Sequence, residues 1–212
     1  TPPGGSHRSM WGDYFCSRAV GTSATGVLVV HHSSRCTFTI FHTIMNPILA
    51  EAINEQIRAE FHSAYIYLAM AAWANENNLP GTAHWLRMQW QEETLHATKF
   101  LDFLHSRNAS VHLLAIDEPP RSYASLIDVF EHVLHHEQSI TERINVLYDK
   151  AVEHRDRPLQ ILLQWFINEQ VEEESQVQGI LDQLKLVGSD GPSIFLLDRQ
   201  FASRPAPATN PE

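Results

Sequence analysis

The sequence predicts an all-α protein: a four-helix bundle with a long crossover between its second and third helices and a short fifth helix near the C-terminus. Apolar residues recur every three or four positions from residue 46 onward, which is the period of helices that bury one face. The interruptions coincide with proline- and glycine-containing stretches such as 77–81, 112–122 and 188–192, where helices end. These two observations define four long helices and one short one.

Each long helix is bounded by recognisable signals. Asn46 is a suitable N-cap for a first helix that begins at Pro47, since proline is favoured at the first helical position. Pro158 marks the start of the fourth helix in the same way, and Gly188 marks its end. The predicted helices cover residues 47–77, 82–107, 123–154, 158–186 and 193–200.

The connection between the second and third helices is long and contains Pro119 and Pro120, which are incompatible with a helix interior. It exceeds the length that a hairpin between antiparallel neighbours needs. A bundle with a long crossover is therefore expected in place of a simple up-and-down arrangement.

Composition narrows the function. The formal net charge of -10 argues against nucleic-acid or membrane-surface binding, because phosphate contacts require a basic surface. Cations are the expected partners.

The two cysteines, Cys16 and Cys36, leave the rest of the chain without a disulfide framework or a thiolate zinc site. No apolar run is long enough for a membrane-spanning helix, and we expect a soluble, cytoplasmic protein.

The two ends of the chain differ from its body. Residues 1–44 contain three arginines against one acid, Asp13, which is typical of a targeting segment. The segment "TGVLVVHH" at 25–32 also suits a short strand, and translated sequence upstream of a natural start at Met45 is the alternative to a native extension. We expect one helical domain over residues 45–200, followed by a disordered Pro/Ala-rich tail over 201–212.

Each long helix places an acidic residue on its apolar face when positions are stepped by about 100°. The stripe of the first helix contains Ile57 and Leu68 together with an inward acid. One buried carboxylate is explained by protonation or a hydrogen bond, but four ionised ones near the middles of four helices need a shared cation. The polar residues on or beside the apolar stripes are Glu60, Tyr67, Glu93, His96, Glu137, Gln170 and Glu173.

The donor set indicates the metal. Carboxylates, one imidazole, one amide and no thiolate form a harder site than structural zinc prefers, and glutamate-rich bundle interiors bind pairs of iron or manganese ions. Glu93 and His96 lie three residues apart on the second helix, and Gln170 and Glu173 form the matching pair on the fourth.

Four segments closely resemble bacterial non-haem ferritins: "NEQIRAEFHSAYIYLAMAAWA" (54–74), "WLRMQWQEETLHATKFLDFL" (85–104), "HEQSITERINVLYDKA" (136–151) and "LLQWFINEQVEEE" (162–174). The resemblance extends over residues 46–200. It implies a ferritin-like bundle that stores and detoxifies iron. It also implies oxidation of Fe(II) by O2 or H2O2 at a di-iron ferroxidase centre within each subunit, and a homo-oligomeric cage of twenty-four subunits that encloses ferric mineral.

The same resemblance assigns roles to individual residues. Glu93 matches the bridging ligand, Tyr67 the tyrosine beside the centre and Trp165 a neighbouring aromatic residue. Thr94 replaces the methionine that ligates haem in bacterioferritins, so no haem is expected. The remaining ferroxidase ligands match Glu60, His96, Glu137, Gln170 and Glu173, and the acids of a third iron site match Glu92, Glu169 and Glu172.

Two other function classes remain open at this point. A di-iron oxidase or reductase of the rubrerythrin type has the same bundle but usually carries two Glu-x-x-His motifs, whereas this chain has one. A non-catalytic cage or DNA-protecting miniferritin places its ligands between subunits. Outside the site, His132, His135, Asp102 and His105 fall away from the apolar stripes, and we expect them to be solvated.

Overall fold

The computed structural model describes residues 45–207, in which all regular secondary structure is helical. The predictions for residues 1–44 and 208–212 lie outside the described residues. The predicted all-α fold class is confirmed. The helices are α1 (Pro47–Glu76), α2 (Pro80–Ser106), α3 (Leu126–Glu153), α4 (Arg157–Val187) and α5 (Gly191–Phe201).

Helix starts follow the local capping chemistry. The Asn46 side chain accepts a hydrogen bond from Ile48 N at 2.9 Å, as predicted for the first turn of α1. The third helix begins at Leu126, three residues later than predicted, because the Ser125 side chain caps it by accepting from Asp128 N at 3.2 Å. The Asp128 carboxylate in turn accepts from Ala124 N at 2.7 Å. This reciprocal pairing fixes the point at which the chain enters the helix.

The connection 107–125 runs along the whole bundle. Near the start of α1, the Asn54 side chain donates to Ser110 O at 3.1 Å and accepts from His112 N at 2.7 Å. At the other end of the connection, the ring of Tyr123 packs edge-on against Trp73, with 5.8 Å between centroids. The predicted long crossover is thereby confirmed. It lets α3 start beside the end of α1 and run antiparallel to it.

Helix α5 is attached to the start of α2 by a buried acid. The N-cap residue of α2, Leu79, makes no side-chain capping hydrogen bond. Asp198 of α5, which is 5% exposed, accepts instead from Gly81 N at 2.9 Å and from Thr82 N and Oγ1 at 2.7 and 2.9 Å. A carboxylate is favourable there because it faces unpaired N–H groups at a helix N-terminus.

Residues that follow the predicted fifth helix contact the bundle. Phe201 is the last residue of α5 and is 5% exposed, because its ring packs against Phe130 with 5.6 Å between centroids. Further along, the carbonyl oxygen of Arg204 lies 2.9 Å from His84 Nε2. The chain therefore remains packed on the bundle beyond residue 200.

Two apolar clusters fill the bundle. A layer of polar side chains lies between them, and each long helix contributes to this layer. One cluster contains Leu86, Phe130 and Leu184, and the other contains Ile53 and Phe100. Leu68, which the helical stripe placed inside, is 38% exposed. No helix in the described part of the chain is long and apolar enough to cross a membrane. The residues of the polar layer are Glu60, Glu93, His96, Glu137, Gln170 and Glu173.

The contact between α2 and α5 predicts opposite effects for two glycine substitutions. A Cβ atom on Gly81 would lie 1.6 Å from Asp198 O, so Gly81→Ala should destabilise the protein by about 1–3 kcal/mol through forced displacement of α5. A Cβ atom on Gly179, inside α4, would have no neighbouring atom within 4 Å, and Gly179→Ala should stabilise the protein by up to about 1 kcal/mol. Chemical denaturation measures both free energies. Equal stability of Gly81→Ala and the unmodified protein would contradict this docking.

Candidate metal centre

The polar layer is buried in the middle of the bundle. Each of its six residues is at most 8% exposed. Their helical positions explain the burial, since each lies between residues of the two apolar clusters on its own helix. The structure thus brings together all six residues that the sequence predicted as ferroxidase ligands.

The acids and the histidine form two groups that share one member. Ligand atoms of Glu60, Glu93 and His96 all lie within 4.8 Å of one another, and so do those of Glu93, Glu137 and Glu173. Within the described residues, these are the groups with that spacing. Because Glu93 belongs to both groups, the arrangement suits two cations that share one carboxylate.

Several buried carboxylate oxygens have no donor among residues 45–207. They are Oε2 of Glu60, Oε1 of Glu93 and both oxygens of Glu173. Buried polar atoms in folded proteins normally have a hydrogen-bond partner, and an unpartnered carboxylate oxygen is costly. A hard cation accepts such oxygens as ligands. The residues present therefore fit a pair of metal ions.

Hydrogen bonds orient the outer carboxylates. Gln56 Nε2 donates to Glu60 Oε1 at 2.8 Å, which leaves Oε2 directed into the centre. The Tyr67 hydroxyl donates to Glu137 Oε1. Gln170 Nε2 lies 3.3 Å from Glu137 Oε2 and 3.2 Å from Glu137 O, so its amide nitrogen faces that acid.

Gln56 was not identified from the sequence. Its position one turn before Glu60, on the same face of α1, was the available signal. The predicted role of Gln170 as a ligand stays a prediction, and its contacts in the structure position Glu137. Such partners set the direction of the ligand atoms, which strongly affects metal binding.

Burial changes the acidity of these groups. Removal from water raises the pKa of Glu60, and it raises the pKa of Glu93 and Glu173 well above the ordinary value of 4.5, with the neighbouring carboxylates adding to the effect. Burial also raises the pKa of Tyr67 well above 10.0. Without metal, protons reduce the repulsion in the layer. Metal ions that bind there release protons.

His96 lies between the carboxylates and an aromatic wall. Its Nδ1 atom is 3.7 Å from Glu93 Oε2 and its Nε2 atom 4.0 Å from Glu173 Oε1. The imidazole packs edge-on against Trp165 and Phe166, with centroid distances of 5.6 and 5.5 Å. The expected position of Trp165 beside the centre agrees with this contact.

The three acids predicted for a third iron site are placed differently. Glu172 is exposed and Glu169 is partly buried, and the charges of Glu172 and Glu92 add to burial in raising the pKa of Glu169. Glu92 forms an ion pair with Arg204 Nη2 at 2.7 Å. The structure does not bring the three into a group with ligand spacing among the described residues. Arg204 was not identified from the sequence.

The residues expected to face solvent do so. His132, His135, Asp102 and His105 are exposed. The nearby His136 is mostly buried, and its Nε2 atom lies 2.7 Å from Ser63 Oγ. These histidines do not form a ligand group in the described part of the chain.

Comparison with known proteins identifies the family. A family model described as a ferritin-like domain matches residues 50–187. The chain belongs to the ferritin-like family. The resemblance stated from the sequence is confirmed by curated relatives, and the buried carboxylate layer can be interpreted within this family.

Curated relatives and solved structures of ferritins match most of this chain. The bacterial non-haem ferritin of Campylobacter jejuni is 38% identical over 151 residues, which cover 71% of this chain and 90% of the relative. That of Bacteroides fragilis is 38% identical over 156 residues, or 74% and 97% of the two chains. The open pore ferritin of the archaeon Archaeoglobus fulgidus matches with a TM-score of 0.75 and 40% identity, over 76% of this chain and 98% of that chain. Most of this chain is thus similar to ferritins of bacteria and of an archaeon over nearly their whole length.

The raised pKa values predict how the metal-free protein responds to pH. A carboxyl whose folded pKa exceeds its unfolded pKa stabilises the fold below the unfolded value, and this stability is lost as pH rises through the folded value. The free energy of unfolding should therefore fall above pH 4.5. Glu173→Gln removes one contributing group and should lessen the loss by up to about 1.4 kcal/mol per pH unit.

Chemical denaturation of chelator-treated protein from about pH 5 to about pH 8 measures this effect. Glu131→Gln, at an exposed glutamate of α3, is the matched control and should show the pH dependence of the unmodified protein. Identical pH dependence of Glu173→Gln and the unmodified protein would contradict the assignment.

Proposed function

We propose that the protein oxidises Fe(II) to Fe(III) with O2 or H2O2 at the two ligand groups of the polar layer, and stores the product as ferric mineral. The observation that supports this most strongly is that Glu93 belongs to both groups. A shared carboxylate places two Fe(II) ions close together, where one acceptor molecule can take an electron from each. Iron is the substrate of this reaction.

The electron count fits a pair of ions. Two Fe(II) ions give two electrons to one O2, which takes up two protons and leaves as H2O2, while H2O2 as acceptor gives two molecules of water. Each ion gains one positive charge. The preorganised carboxylates of Glu60, Glu93, Glu137 and Glu173 stabilise that gain in a pocket from which water is largely excluded.

The other polar residues have supporting roles in this proposal. His96 supplies a nitrogen ligand to one ion, and Gln170 is either a ligand to the second ion or the donor that positions Glu137. When a third Fe(II) at the third site gives one electron, Tyr67 supplies the fourth electron that reduces O2 to two molecules of water. Its hydroxyl donates to Glu137, and that carboxylate is placed to accept the proton released when the tyrosine is oxidised. Protons released from the layer on iron binding are available for reduction of the acceptor.

Storage requires iron to leave the centre. We assign Glu92, Glu169 and Glu172 to a third site that receives it, since the first lies next to Glu93 in sequence and the other two extend toward the exposed surface of α4.

Membership of the family supports a homo-oligomeric cage, which we propose to contain twenty-four subunits with α5 lining a channel. Two apolar residues of α5, Phe195 and Leu196, are 61% and 66% exposed in the single chain, and a neighbouring subunit would cover them.

The ferroxidase assignment predicts that Glu137→Ala loses rapid iron oxidation. The substitution removes a ligand of the second position and leaves the Tyr67 hydroxyl without its acceptor. The initial rate of Fe(III) formation after addition of two Fe(II) per subunit should fall by a factor of about 10–100 or more. This is the range seen when groups that orient metal ligands are removed. Stopped-flow absorbance of Fe(III) formation under air measures the rate.

Glu131→Ala is the matched control, because Glu131 is an exposed glutamate on the same helix, and it should retain the rate of the unmodified protein. After excess Fe(II) has been oxidised, the iron should sediment with the protein. Unchanged fast oxidation by Glu137→Ala would contradict the centre, and oxidised iron that precipitates apart from the protein would contradict storage.

A further inference from the structure

Arg204, in the segment that follows α5, forms an ion pair with Glu92, which we assign to the third iron site. Arg204 Nη2 lies 2.7 Å from Glu92 Oε2, and the two side chains are 15% and 24% exposed. Glu92 directly precedes the shared ligand Glu93. An arginine of the same chain is therefore paired with an acid that we assign to the third site.

Several contacts hold Arg204 in this position. Its guanidinium lies over the Trp85 ring, 4.4 Å from the centroid, and its carbonyl oxygen is 2.9 Å from His84 Nε2. The preceding helix is attached to the start of α2 through Asp198. A packed segment therefore holds Arg204 beside Glu92, and Arg204 is not a freely moving surface side chain.

The surroundings of the guanidinium are polarised. Nη1 is buried and has no hydrogen-bond partner among residues 45–207. Burial lowers the pKa of the guanidinium, and the carboxylate of Glu92 opposes that effect. Arg204 and Trp85 line a cleft of about 390 Å³ between α4 and the C-terminal segment. Arg204 therefore lines this cleft and also pairs with Glu92, which does not line it.

We propose that Arg204 is an intramolecular counter-ion that a metal ion must displace from Glu92, so that the C-terminal segment regulates the passage of iron through the third site. This inference deepens the proposed function and rests on it for the identity of the metal. Its structural basis is independent, because it concerns a pair that forms within the protein alone.

The consequence is a competition for one carboxylate. A multivalent cation that binds Glu92 must first break the ion pair, so its apparent affinity is reduced by the stability of that pair. Once displaced, the positive guanidinium remains near the new cation and disfavours its retention. Both effects favour release of the metal ion from the third site and oppose its long retention there.

The inference predicts that removing the charge of Arg204 tightens metal binding at Glu92. Terbium(III) is a suitable probe, since it is a hard trivalent cation with no redox chemistry under these conditions. Isothermal titration of the iron-free, assembled protein should show the Glu92-dependent site binding Tb(III) at least about fivefold more tightly in Arg204→Gln, at the lower end of the coupling between linked sites. Arg204→Met keeps the apolar stem over Trp85 and should show the same gain.

Two controls separate this effect from general electrostatics. Arg199→Gln removes an exposed cation from α5, five residues before Arg204, and should bind Tb(III) as the unmodified protein does. Adding Glu92→Gln to Arg204→Gln should abolish the gain, because a double-mutant cycle isolates the pair. Circular dichroism verifies that each variant is folded.

Equal Tb(III) affinity in both Arg204 variants and the unmodified protein would overturn the inference, as would a gain that persists when Glu92 is replaced. Failure of the proposed ferroxidase function would have another signature. Glu137→Ala would then oxidise iron at the normal rate, whatever the Tb(III) titrations show.

Discussion

Mutual repulsion among carboxylates buried in a single layer is the constraint on which the rest of this protein depends. Glu60, Glu93, Glu137 and Glu173 are each at most 8% exposed, and three of them retain oxygens without a donor. An ionised carboxylate taken from water without compensation costs several kcal/mol or takes up a proton. Proton uptake lowers this repulsion, and the two divalent cations that we propose to bind in the layer would remove it.

The fold is arranged to tolerate this layer. Apolar clusters on both sides of the layer stabilise the bundle and exclude water from the acids, which strengthens their attraction for cations. With the long crossover, each of the four long helices contributes polar residues from its middle to this layer. Tyr67, Gln56 and Gln170 hold the outer carboxylates in place, so that little reorganisation accompanies metal binding.

The sequence predicted those features that follow from local periodicity. The helices and the inward positions of Glu93 and Glu137 were predictable because a helical stripe fixes the face of a residue. The same reasoning failed for Leu68, which is 38% exposed, because it ignores how far a neighbouring helix extends over the stripe. The start of α3 was misplaced because capping by Ser125 outweighed the apolar pattern that includes Tyr123.

Contacts between distant segments were beyond such reasoning. Asp198 caps a helix more than a hundred positions away in the sequence, and no local pattern marks it as buried. Arg204 lies in a stretch whose composition indicated disorder, yet it pairs with Glu92, the neighbour of Glu93 in the polar layer. The C-terminal segment therefore forms part of the environment of the centre, which composition alone does not reveal.

The central claim is that two metal ions share Glu93 within the buried layer. Anomalous diffraction from crystals soaked with Fe(II) under anaerobic conditions tests it most directly. The account predicts two iron peaks per subunit on either side of the Glu93 carboxylate, one contacted by Glu60 and His96 and the other by Glu137 and Glu173. A single peak, or iron found only at surface acids with the layer empty, would contradict it.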